Sequence, residues 1–194
     1  MHAPRSFKVS DQNELFSFIN NYSFGQLISM VDGIPCSTHI PFLLDKKNKK
    51  LTCHLAKVNS QWENIQDQKV LITFLGPYDY ISPTWYTGNG VPTWDYQAVH
   101  VYGVAKVVND QSTLKNMVDE LSLKHESKNT NPWSGEYADA MLNAIIGIEI
   151  DITDIQGQYK LSQNRSEEDR NNVIRALEEI GSSELSKAIK TNNR

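Results

Sequence analysis

Cysteine is scarce. Cys36 and Cys53 are the two in 194 residues, too few for a disulfide framework and not spaced as a CxxC pair. A reduced, cytoplasmic protein is the expectation. Long apolar runs are missing too, so no segment is expected to span a bilayer. The opening Met1-His2-Ala3-Pro4-Arg5 lacks the apolar stretch of an export signal. Neither sign of charge dominates: 19 basic against 23 acidic residues leave −4, which argues against a broadly basic nucleic-acid surface. The Lys46, Lys47, Lys49, Lys50 patch reads as a solvated hairpin tip. There is no GxxxxGK[ST], GxGxxG or GxSxG, which excludes the P-loop, dinucleotide and nucleophile-elbow fingerprints. His2, His39, His54, His100 and His125 show no zinc-motif spacing. No repeat of 20–50 residues is visible, which excludes solenoids and propellers.

What is present is an ordinary globular composition, 39% hydrophobic and 22% charged, in a chain long enough to bury one core without staples. A first helix is predicted from Asp11, with Glu14 at capping-box spacing and Leu15, Phe18, Ile19 and Tyr22 on one face. A strand over 25–31 meets the turn pair Asp32-Gly33 and returns over 34–44. Pro35 and Pro41 make that return an edge or bulged strand. Further strands are predicted over 51–56, 70–75 (VLITFL, covered on both faces), 78–86 and 94–108. Helices follow over 112–126 and 136–143. A strand over 145–152 is expected to pair with 158–161, and helices over 166–180 and 183–190 close the chain. Consecutive hairpins without βαβ alternation indicate an antiparallel barrel of α+β, mainly β, class.

Three segments could carry chemistry. In His54-Leu55-Ala56-Lys57-Val58-Asn59-Ser60-Gln61 a strand ends at a lysine, and Ser60-x-x-Glu63 is a capping box. A helix start beside a lysine suits a phosphate, although an ordinary capped helix is the commoner meaning. In Ser37-Thr38-His39-Ile40, alternation puts Thr38 and His39 on opposite faces. Tyr80 to Tyr96 gathers Tyr80, Trp85, Tyr86, Trp94 and Tyr96 around a glycine-proline loop, as core, interface or the wall of a planar-ligand pocket.

The segments Thr38-His39-Ile40-Pro41-Phe42, His54 to Asn59, YISPTWY over 80–86, VPTWDY over 91–96, VHVYG over 99–103 and Lys160-Leu161-Ser162-Gln163-Asn164 resemble the ordered motifs of the PaiB family. The likeness runs to about residue 180. It implies an FMN-binding split β-barrel like that of pyridoxamine-phosphate oxidases, with peripheral and C-terminal helices. Residues 1–165 would form the barrel domain, with inserted helices over 111–144, and 166–194 its helical extension. It further implies a homodimer and a negative transcriptional regulator of sporulation and degradative-enzyme production. Lys57, Asn59, Ser60 and Gln61 would take the FMN phosphate, and Thr38 and His39 would line the ribityl chain or ring edge. His54 belongs to the same motif. Trp85, Tyr86, Trp94 and Tyr96 would close the pocket from the partner subunit, with Lys160 and Gln163 reaching in from the C-terminal strand. Where relatives often carry arginine this chain has Lys57, which keeps the charge but loses the bidentate grip on phosphate.

Two further functions compete with the regulatory one. One is a flavin-dependent NAD(P)H oxidoreductase acting on a small acceptor. The other is a haem-binding or haem-degrading barrel, with His39, His54 or His100 as axial ligand. The acidic balance and missing DNA motif favour regulation through a partner over direct DNA binding.

Overall fold

Turn chemistry sets the first hairpin. Asp32 and Gly33 both have positive φ, 51° and 79°, the backbone of a two-residue turn whose twist matches its strands. In the computed structural model, which describes residues 1–133, 137 and 139–192, this turn joins β2 (Phe24–Val31) to β3 (Ile34–Pro41). The other strands are β1 (Lys8–Val9), β4 (Leu43–Asp45), β5 (Lys50–Ala56), β6 (Lys69–Ile81), β7 (Thr93–Val108) and β8 (Ile145–Lys160). The helices are α1 (Gln12–Asn21), α2 (Gln111–Glu126), α3 (Asp139–Asn143), α4 (Glu167–Glu179) and α5 (Ser183–Thr191). The hydrogen-bonded strand order is β3-β2-β6-β7-β8-β5-β4, with β1 paired to β8. The ladders β2/β3, β2/β6, β4/β5, β5/β8 and β1/β8 are antiparallel.

The chain gathers into two compact units. One comprises Ile19–Phe74 and Val101–Ile155. Its core is aliphatic and aromatic: Leu27, Phe42, Leu51, Leu55, Ile72, Phe74, Ile146, Ile148 and Ile150 are at most 2% exposed. Phe42 meets Phe74 edge-on at 5.5 Å. The return strand breaks at this phenylalanine. Phe42 turns inward and its N–H donates to Ser23 O at 2.8 Å, which leaves β3, with Pro35 and Pro41, at the end of the strand path. The other unit comprises Met1–Phe18, Leu75–His100 and the chain from Gln156 onward. Phe18 packs on Tyr159 at 5.4 Å, and α4 and α5 bury Val173, Leu177, Leu185 and Ile189.

The cap predicted at Asp11 forms, and two caps that were not expected, Asp110 and Ser166, join it. Asp11 Oδ1 accepts from Glu14 N at 2.8 Å, Asp110 caps α2 and Ser166 caps α4. Other expectations are corrected: the strands expected over 70–75 and 78–86 are one, β6, which ends at Ile81, and Pro83–Trp85 is a 3-10 turn. The segment 70–75 is not covered on both faces: Val70, Ile72 and Phe74 are buried, but Leu75 is 53% exposed, so β6 alternates as a strand with one buried face. The segments over 145–152 and 158–161 do not pair. They belong to one strand, β8, whose first part pairs with β5 and whose end pairs with β1. Of the helix expected over 136–143, Asp139–Asn143 is helical as α3; Glu136 and Ala138 lie outside the described residues.

Candidate cofactor site

The turn after β5 is built around one amide. Gln61 is 1% exposed. Its Nε2 donates to Leu27 O at 3.0 Å, Ser29 Oγ at 2.9 Å and, more weakly, Cys36 O at 3.3 Å. Its Oε1 accepts from Thr38 Oγ1 at 2.6 Å. Thr38 also accepts from Asn59 Nδ2 at 2.9 Å, and Asn59 Oδ1 accepts from Gln61 N at 3.0 Å. The helix expected to open with the Ser60–Glu63 capping box is a five-residue 3-10 turn, Ser60–Asn64, and its cap is Asn59. Asn59 is one residue ahead because its short amide reaches the second N–H from an extended backbone. Since Lys57 N, Asn59 N and Gln61 N are already bonded within the protein, the turn offers little of a helix dipole to an anion.

What it offers is side chains. The Lys57 ammonium and Ser60 hydroxyl are exposed and bond to nothing among the described residues. They stand beside Val58, which is 94% exposed. Trp62 Nε1 donates to Lys57 O at 3.0 Å and pins the turn. Lys57, Asn59 and Ser60 on this short stretch, with Thr38 of β3 bonded to Asn59, therefore supply a cation and neutral polar groups, a set that fits a phosphorylated polyol. Gln61 is different: its donors and acceptor are engaged internally, and it shapes the site from beneath.

His39 does not join this cluster. It lies on the opposite face of β3, where its Nε2 is 2.7 Å from Gln26 Nε2 and its ring stacks near Phe24 at 6.4 Å. Thr38 and His39 thus cannot line one wall. His54 is half-buried on β5, paired with Gly147, and burial lowers its pKa below the usual imidazole range.

The remaining candidates belong to the other unit and form structural networks. Lys160 Nζ donates to Thr93 Oγ1 at 2.9 Å, Trp94 O at 2.6 Å and Asp95 Oδ1 at 3.0 Å. Asp95, 1% exposed, also accepts from Ser162 Oγ at 2.6 Å. Gln163 donates to Tyr159 O and Ser6 O and accepts from Leu161 N. Tyr86 is buried under Arg165, whose guanidinium lies 4.1 Å from the ring centre. Trp85 ends the 3-10 turn Pro83–Trp85, Tyr96 is half-buried on β7, and Trp94 is 53% exposed against Tyr78 and Tyr80. His100 Nδ1 is buried without a partner among the described residues. Burial, then the N-terminal ammonium, lowers its pKa.

The comparisons bear on this arrangement. Residues 1–154 match the family model described as "Putative FMN-binding domain". The chain is 39% identical over 186 residues, 92% of its length and 89% of the relative's, to the protease synthase and sporulation protein PAI 2 of Bacillus subtilis. The chain belongs to the PaiB family. The fold of this PaiB-family chain is similar to that of the flavocytochrome Anf3 of Azotobacter vinelandii. The TM-score is 0.64 at 13% identity, covering 88% of this chain and 78% of the other. It is also similar to the FAD and heme binding protein of Mycobacterium smegmatis, with TM-score 0.63 at 11% identity, covering 79% and 73%. These likenesses concern the fold, a flavin-binding split barrel, mainly β with peripheral and C-terminal helices.

Sequence reasoning missed three residues. Asp95 anchors Lys160, Ser29 holds Gln61, and Asp169 accepts from both Thr87 N at 2.8 Å and Thr87 Oγ1 at 3.0 Å. Asp169 was legible only as an acid in the first turn of α4. Among the described residues no three His, Cys, Asp or Glu side chains converge as a metal site, and no helix is long and apolar enough to cross a membrane.

Proposed function

We infer that this chain is an FMN-binding, PaiB-like regulatory protein. The observation that carries the reading is the unpartnered Lys57 and Ser60 beside the bonded Thr38–Asn59–Gln61 cluster, within residues that match an FMN-binding domain. Lys57 and Ser60 hold the phosphate, Asn59 and Thr38 the adjoining ribityl chain, and Gln61 keeps both in place. Bound FMN would supply redox chemistry at its ring. The chain's own residues supply binding and orientation. The name of the Bacillus subtilis relative joins protease synthesis to sporulation. By likeness, we assign this chain to negative regulation of those processes, acting as a cytoplasmic homodimer through a protein or DNA partner. Residues 1–165 serve as the barrel and 166–194 as its extension. The exposed Trp94 is available to a planar ligand or to a second copy.

A fluorescence titration of FMN into wild type and Lys57→Ala tests this. Removing the ammonium should weaken binding by roughly ten- to a hundred-fold, the worth of a charge-assisted hydrogen bond. The unfolding midpoint should stay at the wild-type value, because Lys57 is exposed and unbonded through its side chain. Equal affinity in the two proteins removes Lys57 from the site.

A further inference from the structure

The amide of Gln61 has one orientation. Leu27 O and Cys36 O lie near Nε2, and carbonyl oxygens only accept, so the NH₂ end must face them. That turns Oε1 to Thr38. The Thr38 hydroxyl has a single proton, and at 2.6 Å it gives that proton to Gln61. Asn59 is oriented by the same logic. Its Oδ1 takes the Gln61 N–H, so its Nδ2 points at Thr38 Oγ1 and fills one lone pair. One lone pair is left on the hydroxyl, and no proton.

We propose that Thr38, locked by Gln61, is an acceptor-only specificity residue that meets a hydrogen-bond donor on the ligand. This rests on the flavin reading above. On FMN the matching group is a neutral ribityl hydroxyl. A phosphate dianion, which only accepts, is repelled by the exposed lone pair of an acceptor-only oxygen. The site is therefore divided: Lys57 and Ser60 read the phosphate, and Thr38 reads the polyol. Gln61 is a positioning residue that acts through Thr38 without touching the ligand. A threonine that merely happened to lie near an anion would keep its proton free to turn toward it, and Gln61 removes that freedom.

The division predicts how two flavins respond. FMN and riboflavin share the ribityl chain and differ by the phosphate. Both are titrated by fluorescence into wild type, Thr38→Val, Thr38→Ser and Lys57→Ala, with thermal unfolding as the folding control. Thr38→Val should weaken both flavins by the same factor, about ten-fold, and leave their affinity ratio unchanged. Thr38→Ser should restore most of the loss. Lys57→Ala should weaken FMN alone and collapse the ratio. If Thr38→Val does not fold, Thr38→Cys carries the same test, because a thiol is a weak acceptor. The proposal is overturned if the Thr38 variants weaken FMN while riboflavin keeps its wild-type affinity, or if neither flavin responds. It is overturned as well if wild type binds FMN but no riboflavin up to its solubility, since the phosphate then carries the affinity. Failure of the flavin reading looks different: wild type then binds neither flavin, and both statements fall together.

Discussion

At the scale of single residues, the molecule separates charges left open from charges that are bound up. Lys57 is exposed and unbonded through its side chain, whereas Lys160 is committed to Asp95, Thr93 and a carbonyl. The two lysines therefore respond differently to removal. Asp95 is 1% exposed on its side chain and Lys160 22%, so deleting the cation leaves a desolvated carboxylate that keeps its bond from Ser162. Lys160→Met should cost about 3–5 kcal/mol, as breaking one side of a buried pair does, read as a lowered urea midpoint. Lys57→Ala should leave that midpoint alone. A Lys160→Met protein as stable as wild type would show that the Asp95 environment tolerates an unpaired charge.

At the scale of elements, the long strands depend on positions where backbones approach. Gly103 lies on β7 within the VHVYG motif. A Cβ built there falls 2.4 Å from Ile150 Cγ2 and 2.6 Å from Asp151 O on β8, closer than atoms can sit. The backbone oxygen cannot rotate away, so the strands themselves must part. Gly103→Ala should cost about 1–3 kcal/mol, seen as a drop in the thermal midpoint. Hydrogen exchange should quicken at Ile148, Ile150 and the β5 amides that pair with them, while α4 and α5 keep their protection. If protection falls evenly over the whole chain, the strain is not local to this crossing. The β2–β3 hairpin is the contrasting case, since its turn residues alone account for its register, Leu27 opposite Thr38 and Ser29 opposite Cys36. That register brings Leu27 O, Ser29 and Cys36 O to the one amide of Gln61.

At the scale of the whole molecule, titrating groups give the fold a common pH response. His54 and His100 have lowered pKa values through burial. A histidine lowered in the folded state binds its proton more readily once unfolded, so it contributes stability above its unfolded pKa of about 6.5 that is lost as pH falls below it. Several carboxylates shift the same way. Hydrogen bonds from Ser112 and Thr113 hold Asp110 at about 2. Asp169 is lowered chiefly by the Thr87 N–H, and Asp151 by Lys106. These groups contribute stability above the ordinary carboxylate range that disappears as pH falls through their folded values. The unfolding midpoint should therefore decline in two stages on acidification, first below about pH 6.5 and again below about pH 4. Scans between pH 8 and pH 3 check this. A midpoint that holds steady from pH 7 to pH 5 would mean that neither histidine is neutral and buried in solution.

Local chemistry accounts for what could be read from the residues in order. The Asp32-Gly33 turn, the cap at Asp11, the two prolines of β3 and the mainly-β antiparallel class all follow from φ preferences, alternation and short-range hydrogen bonds. The family motifs pointed to the stretch from Lys57 to Gln61 and to Thr38. What each residue there does was not legible, because it depends on partners far along the chain. Gln61 reaches Leu27, 34 residues away, and Lys160 reaches Asp95, 65 residues away. No periodicity marks either side chain as bonded from within. The same holds for β8, which the sequence alone divides into two segments because Thr153 and Asp154 are exposed at its middle. It is continuous because β5 and β1 satisfy its two ends. The sequence by itself determined the mainly-β class, the first hairpin turn and the polar chemistry of the stretch after β5. Only the tertiary structure decided which polar groups stay open and which are consumed in holding the others, since a buried hydrogen bond is set by what the fold brings within 3 Å.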